Sequence, residues 1–162
     1  MVEVLIAWFE ASPTHHWMID HNWSTLVLEV IHFFGLSLLL GALLIIDLRM
    51  LGWFKSISVN AIHSLLPIVF LGFGLNLVSG ILFVFYDPGR YLINIGFQIK
   101  MVLVLLSGLN ALLYYWRIHP NIEEWSQQDS FPAFAKCVSA ASLLLWYSVL
   151  TCGRFIPYVG TG

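Results

Sequence analysis

Glu29 and His32 stand three residues apart inside the run "LEVIHFFGLSLLLGALLIIDLRMLG", Leu28 to Gly52. On a helix that spacing puts a carboxylate and an imidazole on nearly one face, one turn apart. The run is otherwise apolar and long enough to cross a bilayer. Both groups are therefore predicted to lie in hydrocarbon, where an ionisable side chain is costly and is a functional candidate by default. An imidazole projecting into an apolar, aromatic-rich bundle suits axial ligation of heme iron. Glu29 is then the polar neighbour of the ligand, placed to move a proton with the electron. E-x-x-H spacing also serves di-iron bundles, but those need a second such motif and further carboxylates, which this chain lacks.

Other polar groups gather at the same predicted depth. Lys100 lies five residues into the third apolar segment, about 8 Å from its surface, where it is either snorkelling to the interface or facing the site. Asn76 and Ser79 belong to the same half of the second segment, and Arg154 closes the fourth. Phe33, Phe34, Phe70, Phe73, Phe97 and Trp146 are the aromatic residues available to wall a heme pocket. His32, Glu29, Lys100, Arg154 and Trp146 thus make up the expected cofactor site. His63 starts the second segment near the opposite surface, too far from His32 to share its iron, and is the candidate ligand of a second heme; His119 is on that far side too. Three histidines in "PTHHWMIDHNW", His15, His16 and His21, offer imidazoles to copper or zinc. Copper handling by these residues, with or without heme, is the alternative reading. Asp47 and Arg49 are expected to form an ion pair that fixes the following loop.

The elements that must position these groups are legible from hydropathy. The chain of 162 residues is 59% hydrophobic and only 10% charged, with mean hydropathy +0.85. A soluble domain of this size exposes too much surface to carry so little charge, so the protein is read as integral to a membrane. A net charge of −2 without any basic run leaves no footprint for nucleic acid. Four segments are long enough to span: about 25–46, 62–85, 95–116 and 133–152. Residues 2–12 suit a short interfacial helix, ended by Pro13, rather than a signal peptide. Pro67 is expected to kink the second span. "YDPGRY" reads as a tight turn and "HPNIEEWSQQDSFP" as a polar loop. Gly35, Gly41, Gly72, Gly74, Gly80, Ser139 and Ser142 are small residues at helix-packing spacing. Cys137 and Cys152 are about 22 Å apart on one helix and cannot pair.

The expected fold is an all-α integral membrane protein, one domain, built as an antiparallel four-helix transmembrane bundle with a short N-terminal interfacial helix. Arg49, Lys55, Arg117 and Lys136 on one side outnumber Arg90, Lys100 and Arg154 on the other. By the positive-inside rule this puts both termini outside, in the periplasm for a bacterial inner membrane. So small a bundle with small-residue faces suggests a homo-oligomer.

"WFEASP" at 8–13, "EVIHFFG" at 29–35, "DLRMLG" at 47–52, "GFQIK" at 96–100, "LNALL" at 109–113 and "LLLWYSVLTCGR" at 143–154 resemble a small family of bacterial four-span membrane proteins. More distantly, the layout is similar to the copper-resistance protein D superfamily and to the heme-containing bacterial protoporphyrinogen oxidases. That resemblance implies heme b, with His32 and Lys100 in the roles of the oxidases' paired histidine and lysine. Where those oxidases carry an "LPR"-type stretch this chain has "IIDLRMLG", which separates heme binding from oxidase activity. The leading expectation is a heme b protein passing electrons to or from quinone or a periplasmic partner. A porphyrinogen-oxidase-like oxidoreductase is a further alternative.

Overall fold

A long apolar chain can satisfy its backbone groups in lipid only as helix or closed barrel, and this one has taken the helical solution. The computed structural model describes residues 1–21, 23–126 and 131–159. Helix α1 spans Val2–Glu10 and α2 spans Pro13–Asp20. Pro13 does not simply stop the interfacial helix; it opens the next one. Ser12 caps α2 by accepting from His15 N at 3.1 Å, and proline at the first position loses no hydrogen bond. The histidine-rich segment is therefore helical rather than a loop.

Helix α3 runs Trp23–Leu51. Its end is set by Gly52, whose φ of +100° only glycine adopts without strain. Gly52 N donates to Arg49 O and Trp53 N to Leu48 O, the paired bonds of a Schellman stop. Helix α4 runs Val59–Tyr86, capped by Ser58 and continuing through Pro67. Asp87 ends α4 and caps α5, Pro88–Leu92, by accepting from Arg90 N, so the expected tight turn is a short helix. Helix α6 spans Ile95–Leu113 and widens into a π-turn over Tyr114–Ile118. The expected polar loop holds a 3₁₀ turn, His119–Asn121, and helix α7, Ile122–Ser126; its residues 127–130 lie outside the described part. Helix α8 spans Ala133–Phe155.

Four of these segments, carried by α3, α4, α6 and α8, are long and apolar enough to cross a membrane. They expose side chains such as Leu71, Leu105 and Leu144, as lipid-facing surfaces do. Helix α3 packs on α4 and on α8, and α8 packs on α6, and these are the extensive contacts between the long helices. The bundle thus runs α4–α3–α8–α6, with the seam between α4 and α6 less closely packed than those three contacts. Helices α1 and α2 pack on α4 and α5 at the end where α8 also finishes, so both termini share one end, here called the terminal end.

Two glycines bring α3 against α4. A Cβ on Gly72 would lie 2.6 Å from Leu39 N and 2.7 Å from Gly35 O, and one on Gly35 would meet Leu75 Cβ at 2.8 Å. Backbones this close need residues without side chains. Gly41, Gly74 and Gly80, also expected at packing faces, meet nothing within 4 Å. The apolar core sits at the opposite, far end: Ile46, Met50, Ile62, Ile118, Ile122, Phe131, Ala135 and Val138 form one buried cluster.

Candidate functional site

One turn before Gly35, His32 faces α4. The glycine contact brings α4 near enough for Ser79 Oγ to lie 2.8 Å from His32 Nδ1. Ser79 is 1% exposed and its hydroxyl donates to Leu75 O at 2.6 Å. A hydroxyl has one proton, so towards the imidazole it can only accept. With the hydroxyl proton given to Leu75 O, His32 Nδ1 carries the hydrogen, the tautomer in which the neutral ring has its lone pair on Nε2. No hydrogen bond to Nε2 is present among the described residues. The ring edge packs on Phe83, with centroids 5.6 Å apart.

Lys100, on α6, completes the constellation from across the seam. Its charge acts on His32, so the sequence-predicted pair is brought into electrostatic range. It does not lie along the surface. Its chain lies over Gly153 of α8, where a Cβ would be 3.4 Å from Nζ, and its charge also interacts with Cys152. Nζ has no hydrogen-bond or ion-pair partner among the described residues. An ammonium that makes no such bond is placed to receive an anion or a lone pair.

The terminal end of the seam is closed by rings. Phe83 meets Tyr91 at 6.1 Å and Tyr91 meets Phe97 at 5.6 Å, so the aromatic contact runs from His32 through α4 and α5 to α6. Tyr91 lies outside the spans; burial pushes its hydroxyl above the usual 10.0, with Asp87, Glu29 and Tyr86 adding to the shift and Arg90 opposing it. Asn94 fixes this end to α8. It is 1% exposed, caps α6 through Gly96 N and Phe97 N, and donates to Ile156 O at 2.9 Å and to Val159 O.

Several predicted members stand elsewhere. Glu29 is exposed and makes no bond to His32; its charge acts on Tyr91 instead. The serine, not the carboxylate, is the partner of the imidazole, because Glu29 sits one turn round from the α4 contact. Phe33, Phe34 and Phe70 are at least 59% exposed and face outward, which leaves Phe73, Phe97 and Trp146 inside. Phe73 and Trp146 touch edge-on at 6.3 Å, joining α4 to α8. Arg154 is exposed and lies over the Tyr158 ring at 5.9 Å. His15 Nδ1 is bonded to Phe85 O and His21 Nδ1 to Trp17 O, each at 2.8 Å, while His16 is exposed. These three imidazoles serve α2 and its neighbours, and no group of three or more potential metal-ligating side chains occurs among the described residues. His63 and His119 meet edge-on, centroids 4.8 Å apart, with Tyr115 stacked on His119. Arg49 turns away from Asp47: its Nε donates to Ile57 O at 2.8 Å and its guanidinium lies over Phe131 at 5.4 Å, so the expected ion pair is not formed.

Sequence reasoning placed Ser79 in the right half of α4 but did not join it to His32, and it did not see Gly153 as the seat of Lys100. The only signal for the former was a serine at a small-residue face. Compared with models of protein families, with curated proteins and with solved structures, the chain matches none.

Proposed function

We propose that the protein binds heme b in the terminal half of the bundle, at the seam between α4 and α6, and serves in electron transfer. The observation that supports this best is the His32–Ser79 hydrogen bond, which orients the ring and leaves Nε2 as a free lone pair inside an apolar bundle. The donor set fits the group: an oriented imidazole that would hold the iron, aromatic walls, and an unpartnered ammonium on Lys100 that would pair with an acidic side group. Heme held there would supply one-electron chemistry between ferrous and ferric iron. The chain's own part is to hold His32 Nδ1 at Ser79, to keep Lys100 over Gly153, and to exclude water with the Phe83–Tyr91–Phe97 rings. We place the bundle in a bacterial inner membrane with the terminal end towards the periplasm, on the four-against-three distribution of basic residues, so that a quinone or a periplasmic protein can exchange the electron. The second reading is copper at His15, His16 and His21. The Nδ1 bonds of His15 and His21 to backbone carbonyls leave Nε2 open as well. No group of three or more metal-ligating side chains occurs among the described residues, so heme at His32 is the preferred reading.

The test is an absorption spectrum of detergent-purified protein, oxidised and reduced by dithionite, with iron assayed on the same sample. The expected result is a Soret band that shifts on reduction, is lost in His32→Ala and survives Glu29→Gln. A well-folded, iron-free and colourless protein from heme-replete cells would remove the proposal.

A further inference from the structure

Asp47 lies fifteen residues beyond His32 on α3, about 22 Å along the axis, at the edge of the far-end core. It is 3% exposed. Facing it from α8 are the buried hydroxyls of Ser142 and Ser139, both near enough to stabilise the carboxylate. Tyr114, where α6 opens into its π-turn, lies close enough for the carboxylate charge to act on its hydroxyl, and its ring packs on the apolar core. Such π-turns are often found where a helix is locally deformed for function.

The polar atoms of this group are not satisfied by one another. Asp47 Oδ2, Ser139 Oγ and Tyr114 OH are all buried and all lack a formed hydrogen bond, although Ser139 faces the carboxylate. Among the described residues, the ionisable groups of this end give no counter-charge. Arg49 is engaged with Ile57 O and Phe131, His63 and His119 with each other, and neither Lys55, Arg117 nor Lys136 pairs with the carboxylate. A carboxylate inside an apolar bundle without a cation beside it is strongly unfavourable unless its charge is neutralised. The atoms on offer are oxygens alone, which select hard ligands over soft ones. One carboxylate supplies one negative charge, so a divalent ion would leave the same problem with the opposite sign.

We propose that Asp47, Ser139, Ser142 and Tyr114 form a buried site for one monovalent cation, a proton or a sodium ion, between α3, α8 and the π-turn. When the guest is a proton, one O–H bond forms on the carboxylate, which then donates within the group; release returns the proton to water. When it is sodium, no covalent bond changes and the oxygens coordinate the ion. The site is independent of heme and stands whether or not His32 binds one.

The experiment is infrared difference spectroscopy of the full chain in lipid vesicles, following the carboxylic C=O stretch from about pH 5 to about pH 10. One series contains sodium and the other only potassium. Asp47→Asn identifies the Asp47 band. Ser139→Ala and Tyr114→Phe, which leave the carboxylate in place, test the site if the asparagine variant does not fold. The expected result is an Asp47 band that titrates reversibly, with a midpoint moved by both Ser139→Ala and Tyr114→Phe at unchanged helicity. A midpoint that falls by about one pH unit per tenfold rise in sodium assigns competition between the two ions. A midpoint indifferent to sodium assigns the proton alone. Sodium-dependent thermal stabilisation without a carboxylic band assigns sodium alone. Absence of both an Asp47 band and a sodium effect would overturn the proposal, as would a band that never titrates or that ignores both variants.

Discussion

His32 owes its open nitrogen to a hydroxyl that has already spent its proton elsewhere. When Ser79 donates to Leu75 O it accepts from Nδ1, and the pair favours the tautomer with Nε2 open. Removing such a partner from a ligating histidine commonly weakens metal binding by about 10- to 100-fold. Ser79→Ala should therefore lower heme affinity by that order, read by titrating heme into the apoprotein, while far-ultraviolet circular dichroism is unchanged. Tyr91 makes a different prediction. Burial raises its pKa above 10.0, so the folded state holds the phenol proton more tightly than the unfolded chain. That stabilisation is complete below pH 10.0 and is lost as pH rises through the higher folded value. Thermal melts in detergent at increasing alkaline pH should show Tyr91→Phe losing less stability than the natural protein. Equal losses would mean that the ring is not sequestered.

Among the elements, the α3–α4 pair decides whether His32 meets Ser79 at all. Gly35 and Gly72 let the two backbones touch, and the imidazole is one turn from that contact. A methyl at Gly72 would have to displace Leu39 N and Gly35 O, both backbone atoms that cannot swing aside. Overpacking of this kind costs about 1–3 kcal/mol. Gly72→Ala should lower the melting temperature and weaken heme binding together, whereas Gly74→Ala, which meets open space, should change neither. If the two variants behave alike in both assays, helix apposition is not what sets the site.

For the molecule as a whole, packing is unequally divided. The far end has a continuous buried cluster drawn from α3, α4, α7, α8 and the π-turn. The terminal end is held instead by caps, rings and the Asn94 bonds. Cooperative stability should therefore reside at the far end, and the terminal half should open at lower free energy. Ile62 is fully buried in that cluster, and a large-to-small change there costs about 2–5 kcal/mol. Ile62→Ala should speed amide exchange throughout the bundle, whereas Phe97→Ala should speed it only near α5 and the start of α6. Uniform exchange in both would contradict the division.

The four membrane-crossing helices were legible in the sequence because span length and apolar content are local properties, set by bilayer thickness and by the need to bond every backbone group within the segment. Local chemistry also marked His32 and Lys100, since an ionisable residue in an apolar run stands out without any knowledge of its neighbours. What the linear chain does not carry is rotation about each helix axis. Glu29 and His32 are one turn apart, yet one is exposed and the other faces Ser79. Asp47 and Arg49 are two apart, yet they point to different partners. Only tertiary packing chooses those faces, because a helix within lipid is apolar almost all round and its own periodicity gives little direction. The contacts of Gly35 with Gly72, and of Asn94 with the end of α8, decide which polar atoms meet.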